Sequence, residues 1–381
     1  MRLYFYPHAQ RFRALVVALV YRLVSFWRPV RPGSVILATN RASVLTDNLR
    51  WIEAALSRVD FTVRTFSFAN RPRWPWRRAL DDLRFTVAMA QTQYTVVDDF
   101  FALVYPIRLR PGTRLIQVWH ALGALKRMGY SRPKKTGGPP ATSVSHKNYT
   151  DVIVSADAIR ADYAEAFSVS LDVVQALGAP RSDLFFDQAV RAQITDRLHA
   201  RYPQLADRRV VLFAPTFRGP RKLAAHYPSD YVDLDRLGAA LGDNDLLVIR
   251  MHPFVTSSLT IPPRYRDRML DLSDYPEFND LLLVTDLLIT DYSSAIFDYA
   301  LLDRPVVFYV PDLADYSRGR GFYYDFEEYA YGPVARDFDG LLGLLGTTGV
   351  DRTRLADFRA KFLDRCDGQA TQRFIETILG G

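Results

Sequence analysis

The chain has 381 residues, a formal net charge of +7 and one cysteine, Cys366. That length exceeds one ordinary core and fits two domains of roughly 150–200 residues each. A lone cysteine excludes an intrachain disulfide, and no Cys/His set has zinc spacing.

The charge excess is local. The first 46 residues carry seven Arg and no Lys, Asp or Glu, which leaves 42 basic residues to balance 42 acidic ones. An excess confined to one end argues against nucleic acid and for an anionic membrane surface as partner. Residues 11–28, RFRALVVALVYRLVSFWR, predict an amphipathic helix within 1–32. Leu15, Leu19, Leu23 and Phe26 are expected on one face with Val16, Val20 and Trp27 beside it. Arg11, Arg22, Ala14, Ala18 and Ser25 are placed roughly opposite. Such a helix lies in a membrane interface. The apolar run falls short of the roughly 20 residues of a span, and Arg22 interrupts it. No small-residue cleavage site follows cleanly. Arg71-Pro-Arg-Trp-Pro-Trp-Arg-Arg78 is a second patch suited to headgroups. The competing reading is a core-facing helix with a solvated basic edge.

From residue 35 short apolar runs alternate with helical stretches. Strands are predicted at 35–39, 61–66, 94–97, 115–118, 152–155 and 173–176. A second set follows at 210–214, 246–250, 287–290 and 306–310. Apolar strands alternating with helices imply parallel sheets covered on both faces. Two such sets predict an α/β protein with two facing Rossmann-like domains, 33–185 and 186–381, the last helix crossing back to the first. Ligands are then expected in the cleft, beyond the carboxyl ends of the strands. Ser131–Thr150, rich in Gly, Pro and Lys, is a long loop of the functional or mobile kind.

Polar clusters end four of these strands. Leu115-Ile-Gln-Val-Trp-His-Ala-Leu-Gly123 places His120 in the first domain. In the second, Val210–Arg218 brings Thr216 and Arg218, Leu246–Pro253 brings Arg250 and His252, and Leu287–Ala295 brings Asp291, Ser293 and Ser294. A strand that runs through Asp-Tyr-Ser-Ser into a helix offers backbone N–H groups, hydroxyls and a helix dipole to a phosphate. Plain helix capping is the alternative. Arg218 and Arg250 would add planar forks for phosphate oxygens. A neutral His120 can take a proton from an attacking hydroxyl, and His252 can stabilise phosphate charge. His8, His146, His199 and His226 lack such a setting. Asp233-Leu-Asp235 and Asp337-Phe-Asp339 have the D-x-D spacing that some transferases use for a divalent ion, but neither ends a strand. No metal or other cofactor is expected.

Gln117-Val-Trp-His-Ala-Leu-Gly-Ala-Leu-Lys-Arg-Met-Gly-Tyr130 resembles the tryptophan–histidine segment of the CDP-glycerol glycerophosphotransferases of teichoic acid synthesis. Gly178-Ala-Pro-Arg-Ser-Asp183, Ala214-Pro-Thr-Phe-Arg218, Arg250-Met-His-Pro253 and Thr290-Asp-Tyr-Ser-Ser294 resemble that family's other signatures, in order. Arg304–Tyr309, Gly321–Glu327 and Gly332-Pro333 continue the similarity. The resemblance implies a GT-B-like fold attached peripherally to the cytoplasmic face of the membrane. It implies transfer of a polyol phosphate, glycerol phosphate first, from a CDP-activated donor to a lipid-linked glycan acceptor, with release of CMP. His120 would be the base and His252 a second essential histidine. Thr216, Arg218, Arg250, Asp291, Ser293 and Ser294 would hold the donor phosphates, and Lys126 and Arg127 would lie on the acceptor side. The loop at 134–147 would close over the acceptor. Ala121 stands where many members carry glycine, which narrows the approach to His120. A GT-B glycosyltransferase, a sugar-nucleotide epimerase and a non-enzymatic membrane-docked binding protein are the rival readings.

Overall fold

The computed structural model describes residues 8–70, 74–132, 138–140, 142–219, 224–255 and 259–380. The chain forms two compact units, one made of residues 1–183 and 361–381 and the other of 184–360.

The first unit contains α1 (His8–Trp27), β1 (Arg31–Thr39), α2 (Asp47–Leu56), β2 (Thr62–Ser67), α3 (Pro75–Met89), β3 (Thr92–Val97), β4 (Arg114–Gln117), β5 (Asp151–Val154), α4 (Arg160–Phe167) and β6 (Val174–Ala176). Its strands form one parallel sheet in the order β2-β1-β3-β4-β5-β6. Ile36, Leu37, Ala38, Val96 and Ile116 are sealed from solvent, as strands covered on both faces must be. The order reverses between β1 and β3, and in open α/β sheets such a switch point is where ligands bind.

The second unit contains α5 (Gln188–Arg201), β7 (Arg209–Phe213), α6 (Leu234–Ala240), β8 (Asp245–Ile249), β9 (Met269–Asp271), α7 (Phe278–Leu283), β10 (Leu287–Thr290), α8 (Ala295–Tyr299), β11 (Val306–Tyr309), α9 (Leu313–Arg320), α10 (Phe326–Tyr329), β12 (Val334–Ala335) and α11 (Phe338–Gly343). Its six parallel strands run β12-β11-β10-β7-β8-β9, with the switch between β7 and β10. The ten expected strands are all present, within four residues at either end. Two short strands, β9 of three residues and β12 of two, are additional.

The chain's end returns to the first unit. After α12 (Arg352–Phe362) it continues as α13 (Ala370–Phe374) and a π-helical turn, Ile375–Leu379. Phe374, Ile375, Ile378 and Leu379 join the core of the first unit beside Val35, Leu37 and Val96. The Tyr94 hydroxyl donates to the Leu379 carbonyl at 3.2 Å, and Arg114 Nη1 to that of Ile378 at 2.5 Å. Asp183 accepts from the N–H groups of Ala370 and Thr371 at 3.0 and 2.8 Å, so the Gly178–Asp183 segment clasps this terminus as well as ending a strand.

The N-terminal helix departs from its expected polarity. Val17 and Tyr21 are buried, and Arg13 pairs with Asp82 of α3 at 2.5 and 2.9 Å. The stripe Phe12, Leu15, Leu19, Leu23 and Phe26 is exposed, at 70% for Phe12 and 78% for Phe26. Arg22 belongs to this exposed stripe and is not opposite it. Seven residues bring a helix to within about 20° of its starting azimuth, so Arg22 falls beside Leu15. Trp74, Trp76 and Leu80, at the start of α3, are exposed too; Arg71 and Arg73 lie outside the described residues. No helix among the described residues is long and apolar enough to cross a membrane.

Candidate active site

In the first unit the switch point gathers Arg41 after β1, Asp47 and Asn48 at the start of α2, Asp98 and Asp99 after β3, and His120 after β4. The segment before His120 is held tightly. Trp119 sits at φ 47°, a conformation costly for a bulky residue. Its N–H donates to Gln117 Oε1 at 2.8 Å. The amide of Asn48 donates to the carbonyls of Val118 and Trp119 at 3.0 and 2.9 Å. Arg181, from the Gly178–Asp183 segment, donates from its backbone to Asn48 Oδ1 at 3.0 Å and from Nη1 to the His120 carbonyl at 2.5 Å. Gln117 Nε2 donates to the Asp99 carbonyl at 3.0 Å and the Tyr149 hydroxyl at 2.8 Å.

The His120 side chain is 32% exposed, yet Nδ1 is buried without a hydrogen bond, 3.6 Å from Asp99 Oδ1. Burial first, then Arg41 and Arg181, pull the imidazole down to about 4 against the opposing pull of Asp99 and Asp47. His120 is neutral at neutral pH, the form a base requires. Asp47 pairs with Arg41 at 2.7 Å and approaches Arg181 at 3.6 Å, and these cations hold its carboxyl below the usual range despite burial. Asp98 is fully buried and pushed up to about 7 by that burial, against Arg41 and a 3.0 Å hydrogen bond from Thr39.

Part of the expected Ser131–Thr150 loop is core rather than lid. His146 is buried, bonded through Nδ1 to the hydroxyls of Tyr105 and Tyr149 at 3.2 and 3.0 Å, and stacked on Phe167. Burial takes it down to about 4. It braces the floor under Trp119. Lys134 and Lys135 lie outside the described residues, whereas Lys126 and Arg127 are described and half-buried.

In the second unit Thr216 follows β7, His252 follows β8 and Asp291 follows β10, on three adjacent strands. The Thr216 hydroxyl is buried without a hydrogen-bond partner at the switch point. Ser293 and Ser294 are half-buried at the turn into α8, and Ser293 Oγ accepts from the Ala295 N–H at 3.2 Å. Because α8 has only five residues, its dipole is weaker than that of a full helix. The Phe254 N–H donates to His252 Nδ1 at 3.1 Å, and the ring lies against Phe217 and Phe254. A nitrogen that accepts from an amide carries no proton, so the neutral ring holds its proton on Nε2. His252 Nε2 is thus a donor.

Two expected phosphate ligands, and the acid beside them, do other work. Arg218 forms a bidentate pair with Asp312 at 2.6 and 2.9 Å, an ion pair with Asp291 at 3.0 Å and a bond to the Thr216 carbonyl at 2.6 Å. The rings of Tyr227, Tyr231, Tyr292 and Tyr316 surround it at 5.1–5.9 Å. Its fork is saturated by carboxylates and so sets the turns instead of gripping a donor. Asp291 is likewise engaged: Oδ1 accepts from the N–H groups of Thr216 and Tyr292 at 2.8 and 2.6 Å. Arg250 is buried with its fork on the carbonyls of Met251, Ser273 and Tyr275. Among the described residues no carboxylate forms an ion pair with it, so it contributes positive field more than contacts. Both D-x-D triplets are helix caps: Asp233 accepts from the N–H groups of Asp235 and Arg236, and Asp337 from that of Gly340.

Asn48, Asp99 and Arg181 were not singled out by the sequence reading. The polar residues that follow β1 and β3 were the available signal. Which of them meet depends on strand order.

Two parallel Rossmann-like sheets of this order define a GT-B-like fold. The wall teichoic acid polymerase TagF superposes with a TM-score of 0.76 over 98% of both chains at 22% identity. The UDP-GlcNAc 2-epimerase of Neisseria meningitidis gives 0.57 over 91% of this chain and all of the other at 10% identity. The family model described as CDP-glycerol:poly(glycerophosphate) glycerophosphotransferase matches residues 20–380, and the chain belongs to that family. The teichoic acid poly(ribitol-phosphate) polymerase of Bacillus spizizenii is 39% identical over 94% of this chain, which spans 58% of that relative's length. The teichoic acid ribitol-phosphate primase of the same organism is 34% identical, with 95% of each chain covered.

Proposed function

We propose that the chain transfers a polyol phosphate from a CDP-polyol to a hydroxyl of a lipid-linked teichoic-acid-type acceptor, releasing CMP. The observation that carries this reading is a histidine after a strand of each sheet, His120 with a buried Nδ1 that makes no hydrogen bond and His252 with an Nδ1 that accepts from the Phe254 N–H. His120 Nε2 takes the acceptor proton as the acceptor oxygen attacks the donor's β-phosphorus, and the bond from that phosphorus to CMP breaks. The Nε2–H of His252 donates to a phosphoryl oxygen, where charge must be stabilised. The Thr216 hydroxyl and the Ser293–Ser294 turn supply further donors. Arg218, Asp291 and Arg250 position them, and Lys126 and Arg127 serve the anionic acceptor.

The donor order of the sequence reading is revised. Four ribitol-phosphate enzymes match at 33–39% identity, against 29–30% for four glycerol-phosphate enzymes. Ribitol phosphate is therefore placed first. The exposed apolar stripe of α1, with Arg22 inside it and the nearby tryptophans of α3, supports attachment to an anionic membrane at its cytoplasmic face. A screen of CMP release from CDP-ribitol, CDP-glycerol and sugar nucleotides, with a lipid-linked acceptor, tests the assignment. Release from a CDP-polyol that H120N abolishes is expected. Consumption of only a sugar nucleotide would favour an epimerase or glycosyltransferase, and no turnover of any donor a binding protein.

A further inference from the structure

The chemistry proposed for His120 needs its proton on Nδ1 and its lone pair on Nε2, and something must enforce that choice. Four charged side chains act on the ring from four elements, Arg41, Asp47, Asp99 and Arg181, and Asp98 lies behind them against Arg41. Of the three carboxylates in the cluster, Asp99 has an oxygen within ion-pair reach of His120 Nδ1. Asp47 is occupied by Arg41 at 2.7 Å, with Arg181 at 3.6 Å. Asp98 is sealed and tied to Thr39 at 3.0 Å. Asp99 is partly exposed, and the hydrogen bond to its carboxylate is local, from the neighbouring Phe100 N–H to Oδ1 at 2.6 Å. Its backbone is pinned by Gln117, the same residue that holds the Trp119 N–H. Asp99 Oδ1 stands 3.6 Å from the buried Nδ1, too long for a hydrogen bond but needing only a small closure, of the kind catalytic contacts make when substrate binds.

We propose that Asp99 is the positioning residue of His120, accepting the Nδ1 hydrogen and thereby presenting the Nε2 lone pair to the acceptor hydroxyl. The alternative tautomer would set the Nδ1 lone pair against the Asp99 carboxylate, two acceptors facing each other with no proton between them. Asp99 also offsets the imidazolium charge that forms when the proton arrives. Arg41 and Arg181 work in the opposite sense and keep the resting ring neutral. The cluster thus divides the labour: the carboxylate orients the ring, and burial with the two cations lowers its proton affinity. This inference rests on the reading of His120 as the base.

The test uses the full chain with CDP-ribitol and CDP-glycerol as donors. D99N is expected to lower kcat by roughly 10²- to 10⁴-fold, as loss of an orienting carboxylate does elsewhere, with KM for the donor unmoved and partial recovery in D99E. Because Asp99 raises the His120 pKa and Arg41 lowers it, the acid limb of the pH profile should move down in D99N and up in R41Q. Long-range ¹H–¹⁵N spectra, assigned by the resonances missing in H120N, should show the Nδ1–H tautomer in the wild-type protein. Wild-type kcat and pH profile in D99N would overturn the inference while an inactive H120N leaves the base intact. An active H120N would remove the base itself. An Nε2–H tautomer in the wild-type spectrum would overturn the inference even if D99N fails to fold.

Discussion

The guanidinium of Arg218 answers two carboxylates at once, Asp291 and Asp312, inside four tyrosine rings. Charges so placed are stable only as a set. The two acids hold the Arg218 pKa well above its ordinary value although burial opposes them. R218M removes the cation and leaves both acids without it, which should cost about 3–5 kcal/mol. Urea denaturation followed by circular dichroism checks the magnitude. R218K keeps the charge but cannot reproduce a fork shared between two acids, so it should recover less than half of the loss. If R218M instead unfolds like the wild type and fails only in donor binding, Arg218 is a phosphate ligand after all. At this scale the positions of His120 and His252 after strands were legible, because the apolar runs that precede them are local features of a chain with six histidines. The arginines misled, because a guanidinium suits a phosphate and a buried carboxylate equally well. Only coordinates show which partner it has.

Among the elements, the Gly178–Asp183 segment does three jobs in six residues. Gly178 adopts φ +85° and packs so closely that a Cβ there would stand 2.1 Å from the Arg365 carbonyl oxygen and 2.8 Å from Ala370 Cβ. Arg181 supports the His120 carbonyl, and Asp183 receives the amino end of α13. G178A therefore combines a strained backbone with a steric clash and should destabilise by roughly 2–5 kcal/mol. Thermal and urea unfolding measure it. An unchanged midpoint would mean that the terminal segment docks without this close approach. The motif's sequence position suggested a domain boundary, and the first unit's early segment does end at Asp183. Its role as a clasp was not readable, because the partner residues return from the far end of the chain.

For the whole molecule, the largest departure from an ordinary soluble surface is α1 with the start of α3. Phe12, Leu15, Leu19, Leu23, Phe26 and Trp27 remain exposed on a helix that already buries Val17 and Tyr21. A triple change of Phe12, Leu19 and Phe26 to Ser spares that packed side and the Arg13–Asp82 pair. It should abolish cosedimentation with anionic liposomes while leaving the unfolding midpoint within experimental error. Wild-type binding by the triple variant would return membrane contact to another surface. Sequence alone determined the two α/β sets, ten of the twelve strands and the polar clusters at their ends, because apolar runs and the residues that stop them are local properties of the chain. It also located the basic excess at the N-terminus, because charge needs only counting. Tertiary structure decided the rest: that Arg218 and Arg250 turn inward, that Asp99 lies beside His120, and which residues of the last helix enter the first unit's core. Those outcomes depend on strand order and on which distant groups compete for each charge, and neither is written in any single stretch of residues.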